Sequence, residues 1–126
     1  DLILETEHGP RGGDEINKII YNKNYGWPYS TYGTVYPYNT LKEPKYKKNH
    51  SLGGYEEPIF SYVPSIGISE IIKIPNTFYP NFWQDNFLIS SLRARSLFRV
   101  KFDDNYTKIL FNEKILIGER IRDIKS

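Results

Sequence analysis

A chain of 126 residues with 17 Lys and Arg against 15 Asp and Glu has a formal charge of only +2, which gives no basic footprint for a nucleic acid or an anionic surface. The absence of cysteine excludes disulfides, zinc–thiolate centres and thiol nucleophiles, and leaves the redox compartment open. No apolar run reaches the roughly 18 residues of a membrane helix, and an aromatic content of 16%, with Tyr at 11 copies, favours strands.

In chain order, residues 1–5 alternate weakly and finish a strand that runs into a polar loop, Glu5-Thr6-Glu7-His8-Gly9-Pro10-Arg11-Gly12-Gly13-Asp14. Pro10 blocks helix, and the Gly12-Gly13 pair permits backbone angles closed to other residues. Residues 15–21 form a short strand that ends at Asn22-Lys23-Asn24. Residues 26–56, rich in Tyr, Pro, Gly, Asn and Lys, show no sustained period and make a long excursion loop. Strands are expected over 58–62 and 70–74, with a turn-rich connection over 75–80. Residues 87–90 and 97–102 form the clearest hairpin, with Leu97, Arg99 and Lys101 on one face and Phe98, Val100 and Phe102 on the other. A polar turn at Asp103-Asp104-Asn105 leads to a strand over 108–111, and residues 121–124 begin another. No helical stripe of useful length occurs. Many short strands with turns every 8–12 residues describe a sandwich, a barrel or propeller blades.

Four motifs then fall in register. Glu7-His8-Gly9-Pro10-Arg11-Gly12-Gly13-Asp14-Glu15-Ile16-Asn17 with Asn24-Tyr25-Gly26-Trp27-Pro28 is the first, and Ser61 to Ile66 is the second. Phe82-Trp83 through Asn86 to Arg93 and Leu97 to Val100 is the third, and Glu119 to Ile124 is the fourth. Together they resemble the family of soluble quinoprotein glucose dehydrogenases and aldose sugar dehydrogenases, and the resemblance covers nearly the whole chain. It implies an all-β fold, a portion of a six-bladed β-propeller amounting to about two to three blades, with residues 1–126 as part of one propeller domain of a longer chain. It further implies pyrroloquinoline quinone (PQQ) and calcium as cofactors, oxidation of an aldose at C1 to the lactone, a small-molecule sugar as partner, and a periplasmic or secreted location. His8, where glucose dehydrogenases carry glutamine, tilts the resemblance toward the aldose-type branch.

The resemblance assigns roles residue by residue. The carbonyls of Gly9 and Pro10 fall where members hold the active-site calcium, and oxygen donors suit that hard ion. Asp14 falls beside the cofactor, and Glu15 at a position tied to structural calcium. Arg120 and Arg122, two apart on an expected strand and so on one face, match a pair that binds the carboxylates of PQQ. Forked guanidinium contacts suit that tricarboxylate. Arg93 replaces a lysine on the quinone side, and Ser65 matches a small hydroxyl near the cofactor. Val63 stands where glucose dehydrogenases have a stacking tryptophan, and residues 66–70 depart from the family's run. The general base, a histidine, lies upstream in members, so no catalytic residue is expected within this chain. Trp27 and Trp83 read as packing residues, and Arg95 and His50 as solvated side chains. A non-catalytic propeller that kept the fold as a binding module is the rival reading.

Overall fold

The computed structural model describes residues 1–36, 46–77 and 81–125. The chain divides into two compact units, Asp1–Ile66 and Gly67–Ser126. The described residues form seven strands and two short 3₁₀ turns, Ser51–Gly53 and Asn81–Trp83.

The first unit holds a three-stranded antiparallel sheet in sequence order, β1 (Leu4–Glu7), β2 (Asp14–Lys18) and β3 (Phe60–Tyr62). Central β2 is buried on both faces. Ile16, with no exposed surface, shares a face with Asp14, and the alternation of a strand sends Glu15 and Asn17 to the other. Polar residues next to Ile16 in sequence would suit a solvated face, yet both are buried. The expected excursion loop over 26–56 contains no strand among its described residues. It is tied down by two isolated bridges, Arg11 with Thr34 and Ser30 with Lys47. Residues 37–45 of that loop lie outside the described residues.

The second unit is a four-stranded antiparallel sheet in strict sequence order, β4 (Ile68–Lys73), β5 (Phe87–Ser91), β6 (Ser96–Phe102) and β7 (Ile109–Leu116). This meander is the topology of a propeller blade. The expected hairpin over 87–102 is present, with Phe87 opposite Val100 and Ile89 opposite Phe98. Phe98, Val100 and Phe102 bury one face of β6 with Ile68, Ile74, Phe87 and Ile89. Each such side chain contributes roughly 1.5–3 kcal/mol over its exposed state.

Two expectations shift. The last strand runs to Leu116 rather than ending at 111, because all seven residues of β6 find partners on it and exposed Asn112, Glu113 and Lys114 are tolerated on an outer strand. Residues 121–124 form no strand; a single backbone bond, from Ile121 N–H to the carbonyl of Ser91 at 3.2 Å, holds them to the sheet. Residues 78–80 of the expected 75–80 connection lie outside the described residues.

Candidate functional site

The polar loop between β1 and β2 is closed by one side chain. Asp14 is fully buried, and its carboxylate accepts from Gly9 N–H at 3.0 Å, Ser65 hydroxyl at 2.7 Å and Ile66 N–H at 2.9 Å. The loop's glycines are required by this closure. A side chain on Gly9 would fall into the Gly12 and Gly13 carbonyl oxygens, and one on Gly13 into the backbone of Tyr32 and Gly33. Gly12 and Gly13 hold φ of 88° and 73°, angles that favour glycine. Pro10 points its carbonyl at the hydroxyl of Tyr36, which donates at 2.6 Å. His8 and Arg11 are exposed, and Val63 is 64% exposed. The structure thus brings Gly9, Asp14 and Ser65 together in one hydrogen-bonded knot, with Pro10 in the same loop.

The opposite face of β2 carries a second cluster that sequence reasoning missed in most of its members. Glu15 pairs across the sheet with Glu7 on β1 and with Ser61 on β3, and Asn17 pairs with Glu5. Directly paired residues project to one side, so Glu5, Glu7, Glu15, Asn17 and Ser61 share a face. His50, expected in solvent, is fully buried over this face, with Nε2 3.3 Å from Glu15 Oε1 and Nδ1 3.6 Å from Glu57 Oε2. Tyr32 lies against the imidazole, ring centroids 5.1 Å apart, and donates its hydroxyl to Glu57 at 2.7 Å.

The sequence around Asn24-Tyr25-Gly26-Trp27-Pro28 supports this arrangement. Tyr25 hydroxyl donates to the Lys18 carbonyl at 2.7 Å, and Gly26, at φ 98°, leaves room where a side chain would meet the His50 ring at 3.2 Å. The Lys47-Lys48-Asn49 run before His50 reads as solvated in sequence. Only the return of the chain past β2 buries the imidazole.

The cluster's electrostatics follow from burial beside like charges. Desolvation, then Glu7, pushes Glu15 up to about 8, and desolvation followed by Glu5 raises Glu7. Desolvation lowers His50, with Glu57 and the Lys48 backbone pulling partly back, so the imidazole is neutral near pH 7. Burial works to raise Glu57, but hydrogen bonds from the Ser51 amide, Tyr32 and the Ser51 hydroxyl outweigh it and hold it below the usual range. Burial and the bond to Glu57 push Tyr32 up to about 12.

The predicted arginines lie in the second unit. Arg93 is exposed after β5, where Leu92 N–H donates to the Gly67 carbonyl at 2.7 Å and a side chain on Gly67 would strike the Arg93 backbone. Arg120 and Arg122 are both exposed and flank half-buried Ile121. Ile121 is held at both ends, its amide on Ser91 and its carbonyl accepting from Ser69 hydroxyl at 2.7 Å. Glu70 accepts from Ile124 N–H at 2.7 Å. The pair is therefore placed by backbone anchors and not by the strand the sequence suggested.

Oxygen donors at the Gly9-Pro10 step fit a hard cation, and exposed paired guanidinium groups fit a carboxylate-bearing cofactor. The donors beside Glu15 differ, since an imidazole nitrogen stands next to the carboxylate. Among the described residues no three His, Asp or Glu side chains converge as a metal-binding group.

Comparison with known proteins agrees with the fold and the motifs. Residues 1–126 match the Glucose / Sorbosone dehydrogenase family. The chain is 35% identical over 123 residues to Aldose sugar dehydrogenase YliI of Escherichia coli, covering 96% of this chain and 32% of that protein. A crystal structure of glucose dehydrogenase superposes with TM-score 0.79 at 35% identity, covering 96% of this chain and 34% of that one. The soluble aldose sugar dehydrogenase of Escherichia coli superposes with TM-score 0.79 at 31% identity, covering 97% of this chain and 34% of that one. The chain thus spans about a third of the length of these relatives, and its all-β architecture is a portion of a β-propeller. It belongs to the glucose/sorbosone dehydrogenase family.

Proposed function

We propose that the protein is a PQQ- and calcium-dependent sugar dehydrogenase that oxidises an aldose at C1 to its lactone. The observation that carries this reading is the family match over all 126 residues. A bound quinone with its calcium supplies the electrophile that takes up the two electrons and the hydride of the sugar. The residues of this chain act as part of its cradle. Arg120 and Arg122 bind cofactor carboxylates, each charged contact contributing roughly 1.5–3 kcal/mol. Arg93 places a further positive charge on the cofactor, with fork geometry in place of a lysine's point charge. The Gly9 and Pro10 carbonyls ligate the calcium, and Tyr36 hydroxyl holds the Pro10 carbonyl in position. Asp14 and Ser65 fix the loop, and His8 borders the cofactor from it. The proton of the C1 hydroxyl goes to a base supplied from outside this chain. The site works outside the cytoplasm, in the periplasm or in secreted form.

Aldose-dependent dye reduction by the full-length protein loaded with PQQ and calcium tests the reading. Turnover that needs both additions supports it, and no turnover with any aldose sinks it. Exposed Val63, aliphatic where a stacking ring is expected, favours the second reading of a propeller that binds a sugar without oxidising it. Aldose binding without turnover would select that reading.

A further inference from the structure

Five buried side-chain atoms without a hydrogen-bond partner among the described residues are Glu15 Oε1, Asn17 Oδ1, both ring nitrogens of His50 and Ser61 Oγ. All belong to the one cluster on the outer face of β2. A buried polar atom left unpaired costs about 1–3 kcal/mol, so a group of them in one place calls for an occupant. The surroundings set its sign: Glu5, Glu7 and Glu15 share the sheet face, and Glu57 closes on the far nitrogen of His50.

The donors set its chemistry. Calcium takes oxygen ligands, whereas zinc, cobalt and manganese accept imidazole. His50 Nε2 and Glu15 Oε1 stand 3.3 Å apart without hydrogen-bond alignment. Glu57 faces Nδ1 at 3.6 Å, the outer carboxylate that orients a metal-bound histidine.

We propose that Glu15, His50 and Asn17 bind an imidazole-accepting divalent transition-metal cation, of which Zn²⁺ is the type, with Glu57 as the positioning carboxylate on His50. The proposal deepens the reading of Glu15 as a metal position and changes its metal. Ligation runs through Glu15 Oε1, His50 Nε2 and Asn17 Oδ1, with water completing the shell. The cation is structural: it joins β2 to the segment that carries Tyr32 and His50.

The test uses chelator-stripped full-length protein without PQQ or sugar, so its outcome is separate from that of the dehydrogenase reading. Zn²⁺ should raise Tm at one equivalent in the presence of excess Ca²⁺. Co²⁺ at the same site should give visible absorption bands that Zn²⁺ abolishes. His50→Gln should remove both signals, and Glu57→Gln, which keeps the ligands, should weaken Zn²⁺ binding about 10–100-fold. Should His50→Gln fail to fold, the Glu57→Gln arm decides. A Tm rise with Ca²⁺ that Zn²⁺ does not add to would overturn the proposal, as would Zn²⁺ binding indifferent to Glu57→Gln. No response to any cation would leave a site filled by water or a proton and would also overturn it.

Discussion

Asp14 accepts the hydroxyl of Ser65 at 2.7 Å across 51 residues of chain, and the same oxygen takes the Ile66 amide. This contact turns a glycine-rich loop, which would otherwise sample many shapes, into a fixed one. Asp14 in this fold is the residue that shapes the loop, and any cofactor contact comes in addition to that work.

Asp14→Ala should therefore destabilise the protein by about 3 kcal/mol, since it leaves two buried amide donors and one hydroxyl without an acceptor. Asp14→Asn should cost less but remain destabilising, because one oxygen becomes a donor. Denaturant unfolding checks this. A loss under about 0.5 kcal/mol for the alanine variant would show that the loop closes without the carboxylate.

Arg99 is only 7% exposed and sits over three rings, Phe82 at 5.7 Å, Trp83 at 4.9 Å and Phe111 at 4.5 Å, with Glu113 at 2.8 Å. The planar guanidinium packs where an ammonium cannot. Arg99→Ala should cost about 2 kcal/mol through lost stacking and packing, and Arg99→Lys a substantial part of it. Thermal unfolding of the two variants is the measurement, and full recovery by lysine would show that charge alone matters.

Asp103 holds the turn after β6. Its carboxylate accepts the Thr107 hydroxyl and amide, each at 2.6 Å, and the Lys108 amide at 2.9 Å. The hydrogen bond from the Thr107 hydroxyl, then that from the Lys108 amide, lowers its pKa to about 2. A depressed carboxyl stabilises the fold above its unfolded value and loses that contribution as pH falls through the folded one. The amide resonances of Thr107 and Lys108 should therefore titrate with a midpoint near pH 2, and Asp103→Asn should abolish the titration. A midpoint near 4 would show that the turn's bonds do not persist in solution.

Arg120 and Arg122 are exposed and hold no buried role, so replacing both with alanine should leave Tm within about 1 °C while weakening PQQ binding by several kcal/mol. Titration of PQQ into the full-length variant reads this. Unchanged affinity would remove the pair from the cofactor site, and a large fall in Tm would mean that they support the fold instead.

By itself the sequence determined the strand-rich class, the β5–β6 hairpin with its buried Phe98, Val100 and Phe102, the shaped loop at Gly9 to Asp14, and the family. These are local signals: period-two alternation, glycine at required angles, and motif order. Only the tertiary structure decided what the polar residues do. Glu15 and Asn17 alternate with Ile16 as if facing water, and His50 follows two lysines, yet all three are buried together because residues 30 positions apart return to one sheet face. Arg120 and Arg122 are placed by Ser69, Ser91 and Glu70, partners at 28 to 54 residues' remove that no window along the chain contains. Burial of a polar side chain is set by what the rest of the chain lays over it, and that information is non-local.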